Sequence, residues 1–539
     1  MFSNYDYDII IIGGGISGLF LAYKLSNTHH KTILIESSDS LGGRIQTIQK
    51  DGVSFEAGAA RFHSSHSKLI TLLHELNLGS DIVELPKEIK YKLAKKSKVS
   101  MKKLLQQSLE KKKKFSDDYL KNITFFQYLV TIFDFDSAEF IQESFGYDSE
   151  LIQLNAHAAL EMFQGDFFKE EDYYSLKNGM SSIIQRIEAF LERRDNIYIK
   201  KNCSITNIED QFILTDKGDQ FNFNHLICAL PHNTLQSFQY FKDKNIDHLL
   251  NSVSPVPLLR IYAKYPSKDP WFKKIKRTIT NNYIRHIIPI DYENGLIMIS
   301  YTDGIYAKMW DQYNTTSQNN DILIKALHKE IKELYNIDPP KPDFVSVHYW
   351  NEGVHFWKPG YDINQVSKDI IKPIQDKEIY ICGETFSKKQ GWIEGSLDSC
   401  YNLLQLLPLG YQVVTDKLLC DEKQVSPKEI TDIDLKDVED IDDDKFTIDE
   451  VLKHDDWIIM EVDGEKVIYD ISKWIPQHPG GSAIYNGIEA NMYYKDKSIQ
   501  PQSPTDLFNS VHHHKKNNAF QKYIENKNNL VIRIGVLIS

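Results

Sequence analysis

The residues with the clearest chemical signature form a glycine cluster near the start of the chain. Gly13, Gly15 and Gly18 have G-x-G-x-x-G spacing and follow four consecutive isoleucines. Such a run predicts a buried parallel strand, and the glycines predict a tight turn into a helix whose N–H groups hold a pyrophosphate. Glu36 ends a second predicted strand, where an acid binds both ribose hydroxyls and disfavours NADP. The pattern predicts dinucleotide binding. The predicted contacts here are Gly13, Gly15, Ile16, Ser17, Gly18, Glu36 and Ser37.

Bulk properties narrow the class of protein. A chain of 539 residues accommodates two to four domains. Its net charge of −12 argues against general nucleic-acid binding, which needs a basic face. Five scattered cysteines form no C-x-x-C pair and favour a reducing compartment such as the cytoplasm. The N-terminal apolar run is too short for a signal peptide, and no segment is predicted to span a membrane.

Two further segments indicate FAD rather than NAD. Leu41-Gly42-Gly43-Arg44 places a glycine pair before a cation that can form paired hydrogen bonds with phosphate. Near residue 390, Gly391-Trp392-Ile393-Glu394-Gly395 follows Gly383-Glu384. Together these stretches resemble the signatures of the flavin-containing amine oxidase superfamily. That group includes monoamine, polyamine and L-amino-acid oxidases and, more distantly, protoporphyrinogen oxidase.

The resemblance implies additional flavin contacts. Small residues after Glu56 would admit the isoalloxazine ring, and the helix after Trp392 would stabilise negative charge on the reduced ring. Trp392 would line the substrate side of the flavin ring. The alternative is that Trp392 is an ordinary residue of the hydrophobic core. Val354 and His355 stand where monoamine oxidases carry a flavin-linking cysteine, so FAD is expected to be non-covalent. The implied contacts are Gly43, Arg44, Gly58, Ala59, Ala60, Arg61, Ile205, Gly383, Glu384, Trp392 and Ile393.

Two arginines and Trp392 are the residues expected at the reacting centre. Gly58-Ala59-Ala60-Arg61 is similar to the segment in which L-amino-acid oxidases clamp the substrate carboxylate, although a structural ion pair for Arg61 stays open. Arg260 aligns with the lysine that holds a water against flavin N5 in amine oxidases. Since arginine stays charged and cannot act as a neutral base, this substitution argues against amine-type oxidation and fast use of oxygen.

The resemblance also implies the domain organisation. Residues 1–80, 176–240 and 350–410 would form an α/β, Rossmann-like FAD-binding domain. Residues 81–175 and 241–349 would form an interleaved α+β substrate domain. An acidic linker would occupy 411–445, and 446–539 would form a small α+β module.

This last module resembles cytochrome b5. His478 precedes Pro479-Gly480-Gly481 and would be the first ligand of haem b; His512 and His513 are both eligible as the second. Two imidazoles saturate the iron and favour electron transfer. The long stretch between the ligands keeps a haem-free binding module as the alternative.

These features predict an FAD-dependent oxidoreductase that removes hydride from a C–N bond of an amine or amino acid. Oxygen or the haem module would accept the electrons. One alternative is a same-fold enzyme acting on C–C or C–H bonds, as desaturases do. The other is a non-catalytic flavin-bound scaffold with the b5-like module as a docking domain.

Overall fold

A computed structural model describes residues 4–95, 97–164, 172–266, 268–313 and 320–408, and further along 444–453, 457–462, 465–470, 494–495 and 532–537. The chain divides into two compact units, one comprising 1–69 and 81–408 and the other 70–80 and 409–539. Residues 411–443 of the predicted linker, and the predicted haem ligands His478, His512 and His513, lie outside the described residues.

The strands, in chain order, are β1 (Asn4–Ile12), β2 (Thr32–Ile35), β3 (Thr47–Lys50), β4 (Val53–Glu56), β5 (Phe62–His63), β6 (Ile82–Glu84), β7 (Lys90–Lys92), β8 (Tyr173–Leu176), β9 (Ile197–Lys200), β10 (Ile205–Ile208), β11 (Phe212–Thr215), β12 (Gln220–Cys228), β13 (Val253–Lys264), β14 (Thr278–Thr280), β15 (His286–Asp291), β16 (Leu296–Asp303), β17 (Phe344–Trp357), β18 (Ile379–Ile381), β19 (Asp444–Phe446), β20 (Trp457–Val462), β21 (Glu465–Asp470) and β22 (Ile532–Leu537).

The α-helices are α1 (Ile16–Leu25), α2 (Ser67–Glu75), α3 (Met101–Lys111), α4 (Asp117–Lys121), α5 (Phe125–Ile132), α6 (Phe135–Phe145), α7 (Asp148–Gln153), α8 (Ala156–Met162), α9 (Ser181–Leu191), α10 (His232–Ser237), α11 (Gln239–Asp243), α12 (Asp247–Leu250), α13 (Gly304–Asp311), α14 (Asn320–Tyr335), α15 (Ile363–Asp369), α16 (Ile393–Leu406) and α17 (Ile448–Val451). Among the residues described, no helix is both long and apolar enough to cross a membrane.

A seven-stranded sheet positions the glycine cluster. Its order is β10-β11-β12-β1-β2-β9, with β18 also paired to β12. β1 is parallel to both β2 and β12, and Ile9–Ile12 are at most 4% exposed, as expected for a central strand. Gly13 follows β1 with φ +104°, and a Cβ on Gly18 would lie only 2.0 Å from the Gly13 carbonyl oxygen. The turn into α1 therefore requires glycine at both positions.

The same unit contains a second large sheet of six strands, ordered β17-β13-β16-β15-β14-β7. On β13, Leu259, Ile261 and Ala263 alternate onto one buried face. Residues of α13 and α14, including Trp310 and Leu327, complete that apolar cluster. The unit is thus a mixed α/β structure, as predicted.

The C-terminal unit contains a smaller sheet ordered β19-β22-β21-β20. β20 and β21 form an antiparallel pair, and β22 is antiparallel to β21. Val451, Ile459 and Ile468 form a buried cluster against which Trp457 and Tyr494 pack.

Candidate active site

A cavity of about 650 Å³ opens where the central parallel strands end. The strand order changes direction beside β1, and ligands of open α/β sheets bind at the carboxyl ends of strands at such a point. Most of the predicted site residues meet there although they come from distant segments. Those lining the cavity are Gly13, Gly15, Ile16, Ser17, Glu36, Ser37, Gly43, Arg44, Gly58, Ala59, Arg260, Gly383, Glu384, Trp392 and Ile393.

Four predicted residues do not line this cavity. Gly18 packs against the Gly13 carbonyl, which is its role in the turn. The Ala60 carbonyl accepts a hydrogen bond from the Ser175 hydroxyl at 2.9 Å. Ile205 lies on β10, at the edge of the seven-stranded sheet. Arg61 lies beside Trp392, as described below.

The cavity also has walls that the sequence did not predict. Tyr301, Trp350 and Glu352 line it. The indole N–H of Trp350 donates to the Ala57 carbonyl at 2.7 Å, which steadies the segment of small residues. Tyr301 lies in a β-strand with no motif to mark it, so only the folded sheet reveals its position.

The glycine turn has the shape that FAD requires. An added Cβ on Gly15 would meet no protein atom within 4 Å, so the backbone at the start of α1 stays open toward a ligand. Glu36 already accepts hydrogen bonds from the N–H groups of Gly14 at 2.7 Å and Ser38 at 2.8 Å. Its carboxylate is therefore fixed at the cavity, and the site fits a dinucleotide with free ribose hydroxyls.

A buried charge network crosses the site. Arg44 donates to Glu384 Oε2 at 2.8 Å, and His355 Nδ1 lies 3.0 Å from the same oxygen. Burial raises the pKa of the Glu384 carboxyl, but the charges of Arg44 and His355 outweigh burial and hold it well below its usual range. Burial likewise lowers the pKa of His355, whereas Glu384 and Glu352 raise it overall.

Arg260 serves a backbone segment. Its guanidinium donates to the Glu56 carbonyl at 2.9 Å and also to the Gly58 carbonyl, and it lies 4.5 Å from the centre of the Tyr301 ring. These bonds anchor the segment of small residues expected beside the flavin ring. The geometry gives Arg260 a positioning role at the place where the resemblance puts a lysine.

Trp392 immediately precedes α16 and presents its ring to the cavity. The Arg61 guanidinium lies 6.0 Å from the centre of the Trp392 ring and 4.9 Å from that of the Tyr173 ring. His66 packs edge-on against Trp392 at 4.9 Å. Burial, Lys389 and His63 lower the pKa of His66 to about 3, so this imidazole is neutral at physiological pH.

Comparison with known proteins assigns the fold and site to a class. The family described as flavin containing amine oxidoreductase matches residues 16–110 and 85–402. The chain belongs to this family and is an FAD-dependent oxidoreductase, which confirms those predictions. The match ends at residue 402, and the cytochrome b5-like module stays a prediction.

The relatives described next each cover 74% of this chain. An uncharacterized protein of Acanthamoeba polyphaga mimivirus is 23% identical over 478 residues, 74% of this chain and 93% of the relative. A candidate L-amino-acid oxidase of Bacillus subtilis (strain 168), YobN, is 23% identical over 471 residues, 74% and 94% of the two chains. The structure of a putrescine oxidase double mutant aligns with a TM-score of 0.59 and 16% identity, covering 74% and 98%.

Proposed function

We propose that the enzyme oxidises the C–N bond of an amine or amino acid: hydride leaves the carbon bonded to nitrogen, the nitrogen loses a proton, and the resulting imine hydrolyses. The observation that carries this proposal is the continuous cavity from the glycine turn at Gly15 to the ring of Trp392. FAD bound along it would accept the hydride. Trp392 and Tyr301 form the walls of the cavity at the end where a substrate would meet the flavin ring.

The chain's own residues would bind, orient and stabilise. The start of α1 and Arg44 would hold the pyrophosphate, and Glu36 the ribose. The free N–H groups at the start of α16 would stabilise negative charge on the reduced ring. No protein nucleophile is required, because positioning and electrostatics carry the rate.

An amino acid is favoured over a simple amine because of Arg61. Its guanidinium lies 6.0 Å from the ring of Trp392, which lines the cavity, and a guanidinium can form paired hydrogen bonds with a substrate carboxylate. The test is an anaerobic panel of amines and amino acids, read by loss of the oxidised-flavin absorbance. Arg61→Gln should raise KM for amino acids and leave amines without a carboxylate little changed. A uniform loss would assign Arg61 to structure.

A second candidate is oxidation of a C–C or C–H bond. The hydrogen bonds of Arg260 to backbone carbonyls favour it, since Arg260 then has no proton-accepting role toward an amine. Identification of the product from each bleaching substrate separates the two reactions: an imine-derived carbonyl compound indicates C–N oxidation, and an alkene indicates desaturation.

We propose the domain division from sheet topology. The seven-stranded sheet draws on residues 4–35, 197–228 and 379–381, which fall within the predicted flavin segments. The six-stranded sheet draws mainly on 253–303 with 344–357 and would carry the substrate domain.

We propose further, from sequence alone, that residues 446–539 bind haem b through His478 and one of His512 and His513. The module would then take electrons from the flavin domain one at a time. Purified protein should show a haem Soret band that His478→Ala abolishes. Haem that stays oxidised after anaerobic flavin reduction would contradict the relay and favour a docking module.

A further inference from the structure

Trp392 and Tyr301 form the walls at one end of the cavity. A cluster of arginines and tyrosines lies beside that end. We name it the arginine–tyrosine cluster; its members are Arg61, Arg277, Tyr147, Tyr173 and Tyr301. Arg61 lies 4.9 Å from the Tyr173 ring, and Tyr147 packs edge-on against Tyr301 at 5.3 Å. Arg277 stands just before β14, in which Ile279 pairs with His286, and the His286 ring packs against the Tyr147 ring at 4.7 Å.

Among the described residues, neither arginine of the cluster has a carboxylate partner. Other arginines of this unit have acceptors: Arg285 lies 2.9 Å from Asp148, and Arg260 donates to the Glu56 and Gly58 carbonyls. Within the described part of the chain, Arg61 and Arg277 have no carboxylate at ion-pair distance. Nε of Arg277 and the hydroxyl of Tyr147 are buried and lack a hydrogen-bond partner there.

The carboxyl group of Glu150 is close enough to Arg61 for the arginine's charge to influence its pKa. Burial and the nearby Asp303 raise the pKa of Glu150 to about 8. It is therefore mostly protonated at neutral pH and does not balance the two guanidinium charges.

Holding two like charges together inside protein is unfavourable unless an anion accompanies them. Burial and the charge of Arg61 lower the pKa of Arg277 to about 10, in the direction that this cost requires. Arg61 and Arg277 are nevertheless only partly buried as residues. A ligand with two negative groups would compensate the charges of both arginines and satisfy their hydrogen-bond donors through charged hydrogen bonds.

We propose that Arg277 is a second anion-binding residue of the substrate site, and that the substrate is an amino acid whose side chain ends in an acidic group. Arg61 binds the α-carboxylate and Arg277 the side-chain carboxylate, with the Tyr147 hydroxyl available to either. This inference rests on the proposed oxidation of amino acids, since it names which ones are taken.

The kinetic test compares L-glutamate with its neutral isostere L-glutamine. The wild type should prefer L-glutamate, and Arg277→Gln should lower kcat/KM for L-glutamate by about 10-fold to 100-fold, the loss expected for a charged hydrogen bond. Turnover of L-glutamine by Arg277→Gln should change little. Lys276→Gln, which removes an exposed neighbouring cation, is the matched control and should behave as wild type. Equal loss for both substrates, or no wild-type preference, would overturn the inference and leave C–N oxidation standing.

A binding test separates this inference from the proposed reaction. Glutarate carries two carboxylates and pentanoate one, and neither has an amine to oxidise. Glutarate should raise the melting temperature of the FAD-loaded protein more than pentanoate does, and Arg277→Gln should remove the difference. Arg277→Lys, which keeps the charge, should retain part of it and shows that the site still folds.

The two failures are distinguishable. If no amine or amino acid bleaches the flavin, the proposed reaction is wrong, and the glutarate measurement still decides whether two anions are bound. If amino acids are oxidised but glutarate and pentanoate stabilise the protein equally, the assignment of Arg277 is wrong.

Discussion

The guanidinium of Arg44 lies 2.8 Å from Oε2 of Glu384, a residue 340 positions further along the chain. The ion pair joins the second glycine segment to the segment before α16, and both segments line the cavity. His355 meets the same carboxylate from the other side. One buried carboxylate therefore holds together two walls of the flavin site.

Glu384→Gln should destabilise the protein because Arg44 loses its carboxylate partner and His355 keeps only Glu352, 3.4 Å away, among the described acids. We expect a loss of roughly 3 kcal/mol in urea unfolding, at the lower end of the range for breaking a buried pair. The lower end applies because the Arg44 side chain keeps 33% of its exposure. The control is Glu378→Gln, whose carboxylate pairs with Lys372 and is 40% exposed. An equal effect of both changes would contradict the special role of Glu384.

The network should also give stability a defined dependence on pH. The folded pKa of Glu384 is depressed, so its contribution is present above about pH 4.5 and is lost as pH falls through the folded pKa. The folded pKa of His355 is raised, so its contribution is full below about pH 6.5 and is lost as pH rises through the folded pKa. The melting-temperature gap between wild type and His355→Asn should therefore shrink above pH 6.5. A gap that widens with pH would reverse the assignment.

Glu150 should act in the opposite sense to Glu384. Because burial and Asp303 raise its pKa to about 8 from 4.5, the folded protein binds an extra proton between these values. Stability should fall as pH rises through this interval. Glu150→Gln, which cannot ionise, should show a flatter melting curve against pH than the wild type. Parallel curves for the two proteins would exclude a buried protonated Glu150.

Glu36→Ala should weaken FAD binding by roughly 1–3 kcal/mol, the cost of leaving polar partners unsatisfied. The effect has two sources, since the carboxylate would bind the ribose and also holds the Gly14 N–H at 2.7 Å. Equilibrium dialysis of FAD measures it. Asp39→Ala, an exposed acid in the following loop, should bind FAD as the wild type does.

The FAD should be released intact by acid precipitation. His355 lies in the region where monoamine oxidases carry a flavin-linking cysteine. Its two ring nitrogens lie at hydrogen-bond distance from carboxylates, Nδ1 at 3.0 Å from Glu384 and Nε2 at 3.4 Å from Glu352. Neither nitrogen is free to bond covalently with the flavin ring. Yellow colour that stays with the precipitate would show a covalent link.

Short-range spacing made the first part of the site predictable. A strand, a glycine turn and a helix follow from residues within one segment, because backbone geometry and the need for φ above zero at Gly13 leave few alternatives. The positions of Glu36, Arg44 and Trp392 follow from the same local patterns and from the family resemblance, and all three line the cavity.

Only the tertiary structure shows what surrounds these residues. The bonds of Arg260 to the Glu56 and Gly58 carbonyls, the meeting of Arg44 with Glu384, and the packing of Tyr147 against Tyr301 each join distant segments. Such contacts depend on the register of the sheets and on how strands distant in sequence are paired. The local pattern of apolar and polar residues does not specify either. The sequence by itself determined the cofactor class and the glycine turn, whereas burial and neighbouring charge, which decide the protonation and partners of Glu150, His355 and Glu384, exist only once the chain is folded.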